Sequence, residues 1–351
     1  MSTRAPIPHV ILMDGTLATL GGPRSSHIAT IRRLVRKAGP VRVHYASGLH
    51  WDSWRSARAV FTGQGIEDRI AAAYGWLASS WRPGDPIFIF GYSRGAFTAR
   101  SLAGMIGRVG LLTPRHATER NTRLAWRLYQ RGGQERTLAG FRRRCHAEVA
   151  IEMVGVFDTV AALGVRLPLV WMLTEGQHRF HDHRLGGHVR FGAQALGLDE
   201  TRAVFQPILW DAAEADRVEQ RWFRGCHADI GGQLNGHEAG RPLANIPLVW
   251  MLDHAAARGL PLPEGWRAQF PRDVTAPSVG SWAGWGMAFL LRVPRTVGTA
   301  GDLLHPSVPL PYHGPALIVD ETRRRPLRRL RRPRAEPLRR GVRRWSRAQG
   351  E

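Results

Sequence analysis

The sequence predicts an α/β fold with a mostly parallel central sheet and helices on both faces. Three observations carry this. The first hundred residues alternate short apolar, β-prone runs with amphipathic helical stretches. Residues 86–100, PIFIFGYSRGAFTAR, read as a buried strand, a tight turn bearing one serine, and a helix entered through small residues. Two later apolar runs end in residues that carry chemistry, Asp158 and His227.

Taken in order, Val10 to Met13 is an apolar run closing in Asp14-Gly15-Thr16, and so a first central strand and its loop. Ser26 to Lys37 is helical, with a serine cap and Ile28, Ile31 and Leu34 on one face. Val41 to Ala46 is a second strand. His50 to Gly65, with Trp51 and Trp54, is a loop that lines a cleft or covers the core. Ile66 to Trp81 is an amphipathic helix, with Ile70, Ala73, Trp76 and Leu77 together. The strand around Phe88 to Phe90 follows. Thr118 to Cys145 is long, basic and largely helical. Val149 to Phe157 is another strand, Val189 to Leu198 a further element near the core, Val218 to Cys226 a strand, and Leu243 to Ala257 a helix. The apolar segment Trp282 to Leu291 is expected to be a lid, a membrane-contacting patch or plain core.

A length of 351 residues and a hydrophobic content of 43% support a sizeable core. The expected division is a catalytic domain over 1–320 and a basic tail over 321–351. No apolar run reaches the ~18 residues a membrane span needs. Met1 to Pro6 carries no apolar signal core. The protein is therefore expected in the cytoplasm, or exported by a route that needs no signal peptide. Cys145 and Cys226 do not suggest a disulfide framework. Net charge is +22, and residues 322–351 hold 13 arginines against two glutamates. The tail Arg323–Arg347 is expected to be disordered or loosely helical. It either contacts nucleic acid or an anionic membrane or is a solvated tail without a partner. The sequence does not set the oligomeric state.

Gly91-Tyr92-Ser93-Arg94-Gly95 matches G-x-S-x-G, the turn that exposes a nucleophilic serine at a sheet's carboxyl edge. The Arg94 N–H starts the following helix, where it can help hold an oxyanion; Gly15 or Thr16 can lend a second N–H. Asp14-Gly15-Thr16-Leu17 also has the outline of an aspartate-nucleophile phosphatase motif. That chemistry needs an aspartate two residues earlier, and Leu12 stands there. Asp158, just past a core strand, reads as the acid of a triad or as a helix N-cap. His227, in the loop after a late strand, reads as the general base or as a structural histidine. The chain order Ser93, Asp158, His227 is that of α/β-hydrolases. His178, His181, Asp182, His183 and His188 match no metal-ligand spacing and read as a polar lid or loop. No metal or organic cofactor is expected.

Several segments together resemble the DUF2235 family, the α/β-hydrolase catalytic domain of type VI secretion phospholipase effectors. They are Met13 to Thr16, Gly91 to Ala96 with Ala99-Arg100, Gly155 to Val160 with Leu163-Gly164, and Leu198-Asp199-Glu200 with Arg202, Phe205 and Pro207. Trp222 to Gly225, His227 to Gly232, Ile246-Pro247-Leu248 with Trp250-Met251, and His305 to Val308 complete the set. The resemblance implies an ester hydrolase with Ser93 as nucleophile, Asp158 as acid and His227 as base, with His305 as the alternative base. Asp14, Gly91, Gly95 and Asp229 are expected in support. A phospholipid or other lipid ester is the implied substrate; a soluble non-lipid esterase and a non-enzymatic binding protein are the alternatives. Two positions depart from the family pattern and are expected to alter the pocket. Gln194 precedes Ala195-Leu196 where the family has histidine, and Gln233 stands where a third glycine is common.

Overall fold

A computed structural model describes residues 4–48, 65–160, 184–211, 214–282, 290–298 and 302–318. The loop read over 50–65, except Gly65, the histidines at 178–183, most of the apolar segment 282–291 and the arginine tail lie outside the described residues.

Seven parallel strands form the main sheet. In chain order they are β1 (His9–Met13), β2 (Arg42–Ala46), β3 (Ile87–Tyr92), β4 (Met153–Phe157), β5 (Gly192–Gly197), β6 (Val218–Phe223) and β8 (Asp302–Leu304). Their spatial order is β2-β1-β3-β4-β5-β6-β8. A two-stranded ladder joins β7 (Thr296–Val297) to β9 (Leu317–Ile318). The helices are α1 (His27–Ala38), α2 (Ile66–Ser80), α3 (Arg94–Val109), α4 (Glu119–Arg131), α5 (Glu135–Arg142), α6 (His227–Gly231) and α7 (Arg241–Ala256).

The central strands are apolar at successive residues because both faces are covered. Ile11, Met13, Ile87 and Ile89 pack beneath α2, α3, α4 and α5. Val10, Leu12, Phe88 and Phe90 meet α1 and α7 on the other side. Ser26 caps α1 as its sequence position suggests, accepting from the amides of Ile28 and Ala29.

The stretch from Thr118 to Cys145 is two helices rather than one. Gly132 takes the left-handed conformation (φ 63°) and ends α4, closing onto the Leu128 carbonyl. The strand expected from Val149 begins at Met153. The sequence reading did not find β7, β8 or β9; at two or three residues each, they are too short to carry a pattern.

Because β1, β3 and β4 run parallel and in register, Met13 lies beside Gly91 and Tyr92 beside Phe157. Asp14, Ser93 and Asp158 thus leave the sheet on one edge. The chain moves from β1 to β2 on one side and returns to β3 on the other, so the gap between β1 and β3 is the switch point where α/β sheets form crevices. The two elbow glycines permit this closeness. A Cβ on Gly91 would sit 2.5 Å from the Ala96 Cα; one on Gly95 would sit 2.1 Å from the Met13 carbonyl oxygen.

Backbone atoms cannot yield as a flexible side chain can. Gly95→Ala is therefore expected to cost ~3 kcal/mol or more of stability through overpacking. Gly21→Ala, with nothing within 4 Å of the added carbon, should leave the thermal midpoint unchanged. Thermal unfolding of the two variants checks the contrast.

Candidate active site

Ser93 sits between β3 and α3 in a conformation rare for any residue but glycine, φ 57° and ψ −121°. Its amide donates to the Phe157 carbonyl at 3.0 Å, tying the turn to the end of β4. Asp158 follows there, also left-handed at φ 46°. Two non-glycine residues held in this region at one sheet edge mark strain that the surrounding packing must sustain.

His227 opens α6, four residues past the end of β6. Its Nε2 lies 2.9 Å from Ser93 Oγ, and its Nδ1 lies 2.5 Å from Asp158 Oδ2. A buried carboxylate only accepts, so Nδ1 carries the proton and Nε2 is left to accept from the serine hydroxyl. Ser93 and His227 are 6% exposed and Asp158 is fully buried. The three residues named from the sequence thus form one hydrogen-bonded chain.

The imidazole is enclosed. Phe205 stacks on it at 4.6 Å with planes 5° apart, and Tyr92 lies at 5.0 Å. The His227 amide donates to Glu200 Oε2 at 3.2 Å. Arg202 grips Glu200 from Nε at 2.8 Å and Nη2 at 2.6 Å, and also covers the Phe205 ring. Asp229, expected in support, is fully buried. It accepts from the Cys226 amide at 2.8 Å, the Ser278 hydroxyl at 2.5 Å and the Val279 amide at 3.0 Å. It pins the start of α6 to the chain at 278–279.

Asp158 has a partner that sequence reasoning missed. Arg295 donates to Oδ1 at 2.6 Å and to Oδ2 at 2.8 Å, and the Gly197 amide adds 3.2 Å to Oδ1. Burial alone would raise the Asp158 carboxyl. The Arg295 charge and the bonds from His227 and Arg295 outweigh it and hold the carboxyl well below the usual carboxylate range. No motif or spacing in the sequence singles out Arg295 among so many arginines.

The loop after β1 lies beside the elbow. Asp14 Oδ1 accepts from the Ser26 hydroxyl at 2.6 Å, and Oδ2 from the Tyr45 hydroxyl at 2.8 Å. Asp14 Oδ1 also takes the Gly15 amide at 2.8 Å, so that N–H, expected as an oxyanion donor, is engaged by its neighbour. The Thr16 amide makes no hydrogen bond among the described residues. The Arg94 guanidinium reaches the Thr16 hydroxyl, and Gln233 Nε2 donates to the Thr16 carbonyl at 3.3 Å. Gln194, the other departure, binds the Thr159 hydroxyl at 2.9 Å and the Ile208 carbonyl at 3.0 Å.

His305, the alternative base, is not brought to Ser93. Its ring stacks on Phe223 at 4.5 Å, and its Nδ1 pairs with the Ser307 hydroxyl at 2.8 Å. Burial and then Arg221 push its pKa down to about 4. His188 is a packing residue: its Nε2 meets the Ala103 carbonyl at 2.8 Å. Cys145 and Cys226 are both free thiols. Among the described residues, no helix is long and apolar enough to cross a membrane.

Residues 8–254 match the family model of the type VI secretion phospholipase effector Tle1-like catalytic domain. The chain belongs to this family. An uncharacterized protein of Saccharomyces cerevisiae is 33% identical over 157 residues, spanning 41% of this chain and 21% of that protein. Two solved structures are also similar. One is an uncharacterized protein from Pseudomonas aeruginosa, with a TM-score of 0.48 and 17% identity over 76% of this chain and 49% of that one. The other is the Tle1 effector bound to the VgrG spike of the type VI secretion system, with a TM-score of 0.34 and 16% identity over 65% of this chain and 51% of that one. The chain thus matches about a fifth of the yeast protein and about half of each solved chain. The Tle1-like match ends before Arg295 and His305, which lie beyond residue 254.

The depressed Asp158 carboxyl has a consequence for acid stability. The unfolded chain takes up this proton first as pH falls, so the contribution is complete above about pH 4 and is lost below it. Asp158→Asn should be less stable at neutral pH. Its stability should fall less steeply in acid, by up to ~1.4 kcal/mol per pH unit for the one proton removed. Urea unfolding across acid and neutral pH measures both effects.

Proposed function

We propose that this Tle1-like domain is a serine ester hydrolase acting on phospholipid or another lipid ester, with Ser93, His227 and Asp158 as its triad. The observation that carries the reading is the continuous chain from Ser93 Oγ through both imidazole nitrogens to Asp158, at 2.9 and 2.5 Å. Family membership supports the lipid class of substrate, and a role as a type VI secretion effector is part of the same proposal.

His227 Nε2 takes the serine proton as Ser93 Oγ attacks the ester carbonyl. Asp158 holds Nδ1 and balances the imidazolium. The amides of Arg94 and Thr16 receive the developing oxyanion, with the Gln233 and Arg94 side chains fixing the loop that presents Thr16. The imidazolium returns its proton to the leaving alcohol. Water, deprotonated by the same histidine, then releases the acyl group from Ser93.

Hydrolysis of a mixed phospholipid panel and a short-chain aryl ester tests this. Ser93→Ala should lower turnover by about 10⁴-fold or more. His227→Gln should approach the same loss, whereas His305→Gln should retain hydrolysis. Cleavage of the aryl ester alone would remove the lipid assignment. Equal activity of wild type and Ser93→Ala would remove the enzyme assignment.

A further inference from the structure

In a serine triad the carboxylate supplies one negative charge, facing the imidazole. Here that charge is also shared with an arginine. The Arg295 guanidinium meets both oxygens of Asp158, at 2.6 and 2.8 Å, with 1% of the arginine side chain and none of the aspartate exposed. Oδ2 therefore accepts from His227 and from Arg295 together.

The same guanidinium holds two backbone positions around the imidazole. It donates to the Gly197 carbonyl at 2.7 Å and to the Phe205 carbonyl at 2.5 Å. Gly197 returns its own amide to Asp158, and the Phe205 ring is the one stacked on His227. One side chain thus fixes the carboxylate and the residue that covers the base. A planar fork can make this set of bonds; an ammonium cannot match it.

The other charged and titratable groups around His227 are largely accounted for. Glu200, which accepts its amide, is paired with Arg202. Asp229, on the same helix, is taken up by Cys226, Ser278 and Val279. Cys226 precedes it as a buried thiol that burial keeps protonated. The Tyr92 hydroxyl donates to the His227 carbonyl at 3.3 Å, and burial raises that phenol well above its ordinary value. Among the described residues, the Asp158–Arg295 pair is what remains facing Nδ1.

We propose that Arg295 is a positioning residue for the Asp158–His227 pair, orienting the carboxylate toward Nδ1 and setting the pH at which the histidine can act as a base. The proposal rests on the triad reading. It places a required side chain outside the 8–254 stretch that matches the family. The direction of the effect follows from charge. Without Arg295, Asp158 faces the imidazole as an unmatched anion and stabilises the imidazolium. The rate then rises with pH only at a higher pH.

Labelling of Ser93 by a fluorophosphonate reports the activated serine without requiring the natural substrate. The labelling rate is measured against pH for wild type, Ser93→Ala, Arg295→Lys and Arg295→Met, with p-nitrophenyl butyrate turnover beside it. Arg295→Met should label about 100-fold more slowly, the order of loss expected from a misplaced catalytic group. Its acid limb should move up by about one pH unit, and the loss in turnover should fall on kcat rather than KM. Arg295→Lys keeps the charge and loses the fork, so its rate should fall while its acid limb stays near wild type. If Arg295→Met does not fold, Arg295→Lys decides: a wild-type rate in a folded lysine variant overturns the proposal. Wild-type rates and pH limbs in both variants, with Ser93→Ala unlabelled, overturn the role of Arg295 and leave the triad standing. Labelling that survives Ser93→Ala overturns the triad, and the Arg295 role with it.

Discussion

A carboxylate with no exposure is the constraint around which the rest of the site is arranged. An ionised group in the protein interior is costly unless opposite charge and hydrogen bonds surround it. Asp158 collects the Gly197 amide from the end of β5, the imidazole from the start of α6, and the guanidinium from the chain at 295. Removing one member of such a buried pair costs ~3–5 kcal/mol, because the other charge is then stranded. The need to deliver Arg295 explains the path of the late chain. Its backbone is held by the Val293 amide on the Thr201 carbonyl and by the Leu317 amide on the Arg295 carbonyl. The segment before β7 is thereby laid along the loop that follows β5.

The sheet was legible because β1, β3 and β4 are buried on both faces and so are almost wholly apolar, and because parallel strands need the helices that separate them in sequence. The position of Ser93 was legible for a related reason: the two glycines beside it are demanded by backbone contacts of 2.1 to 2.5 Å. Asp158 and His227 could be named because parallel strands send their carboxyl ends to one edge. The choice between His227 and His305 was beyond a linear reading, since each follows a strand of the sheet. β6 and β8 are neighbours, and the difference lies in the short helix α6, which packs over β5 and turns His227 back toward Ser93. The diversion of the Gly15 amide was equally hidden, because it depends on the rotamer of Asp14.

The two departures from the family pattern do different things. Gln194 is fully buried beneath the site, where its amide holds the Thr159 hydroxyl, the Ile208 carbonyl and, at 3.5 Å, Gln220. It braces the residue after Asp158 without touching Ser93 or His227. Gln233 instead reaches the Thr16 carbonyl, in the loop beside the elbow. A glycine there would leave that carbonyl without this donor. The first substitution holds the residue beside Asp158, and the second holds the Thr16 loop beside the elbow.

Two buried ion pairs lie beside the site. Asp158 is matched by Arg295 and Glu200 by Arg202. Among the described residues, Arg100 is bonded to neutral oxygens, the carbonyls of Ile208 and Leu209 and the Gln194 amide, and lies over the Trp210 ring. Burial lowers its pKa to about 9, which leaves it protonated at neutral pH. It lies on α3 about 10 Å from Ser93, given the helical rise of 1.5 Å per residue. In a partly dry site, a cation at that range favours negative charge and disfavours a second positive one. In the proposed attack an oxyanion and an imidazolium would appear together, so this cation would act on both.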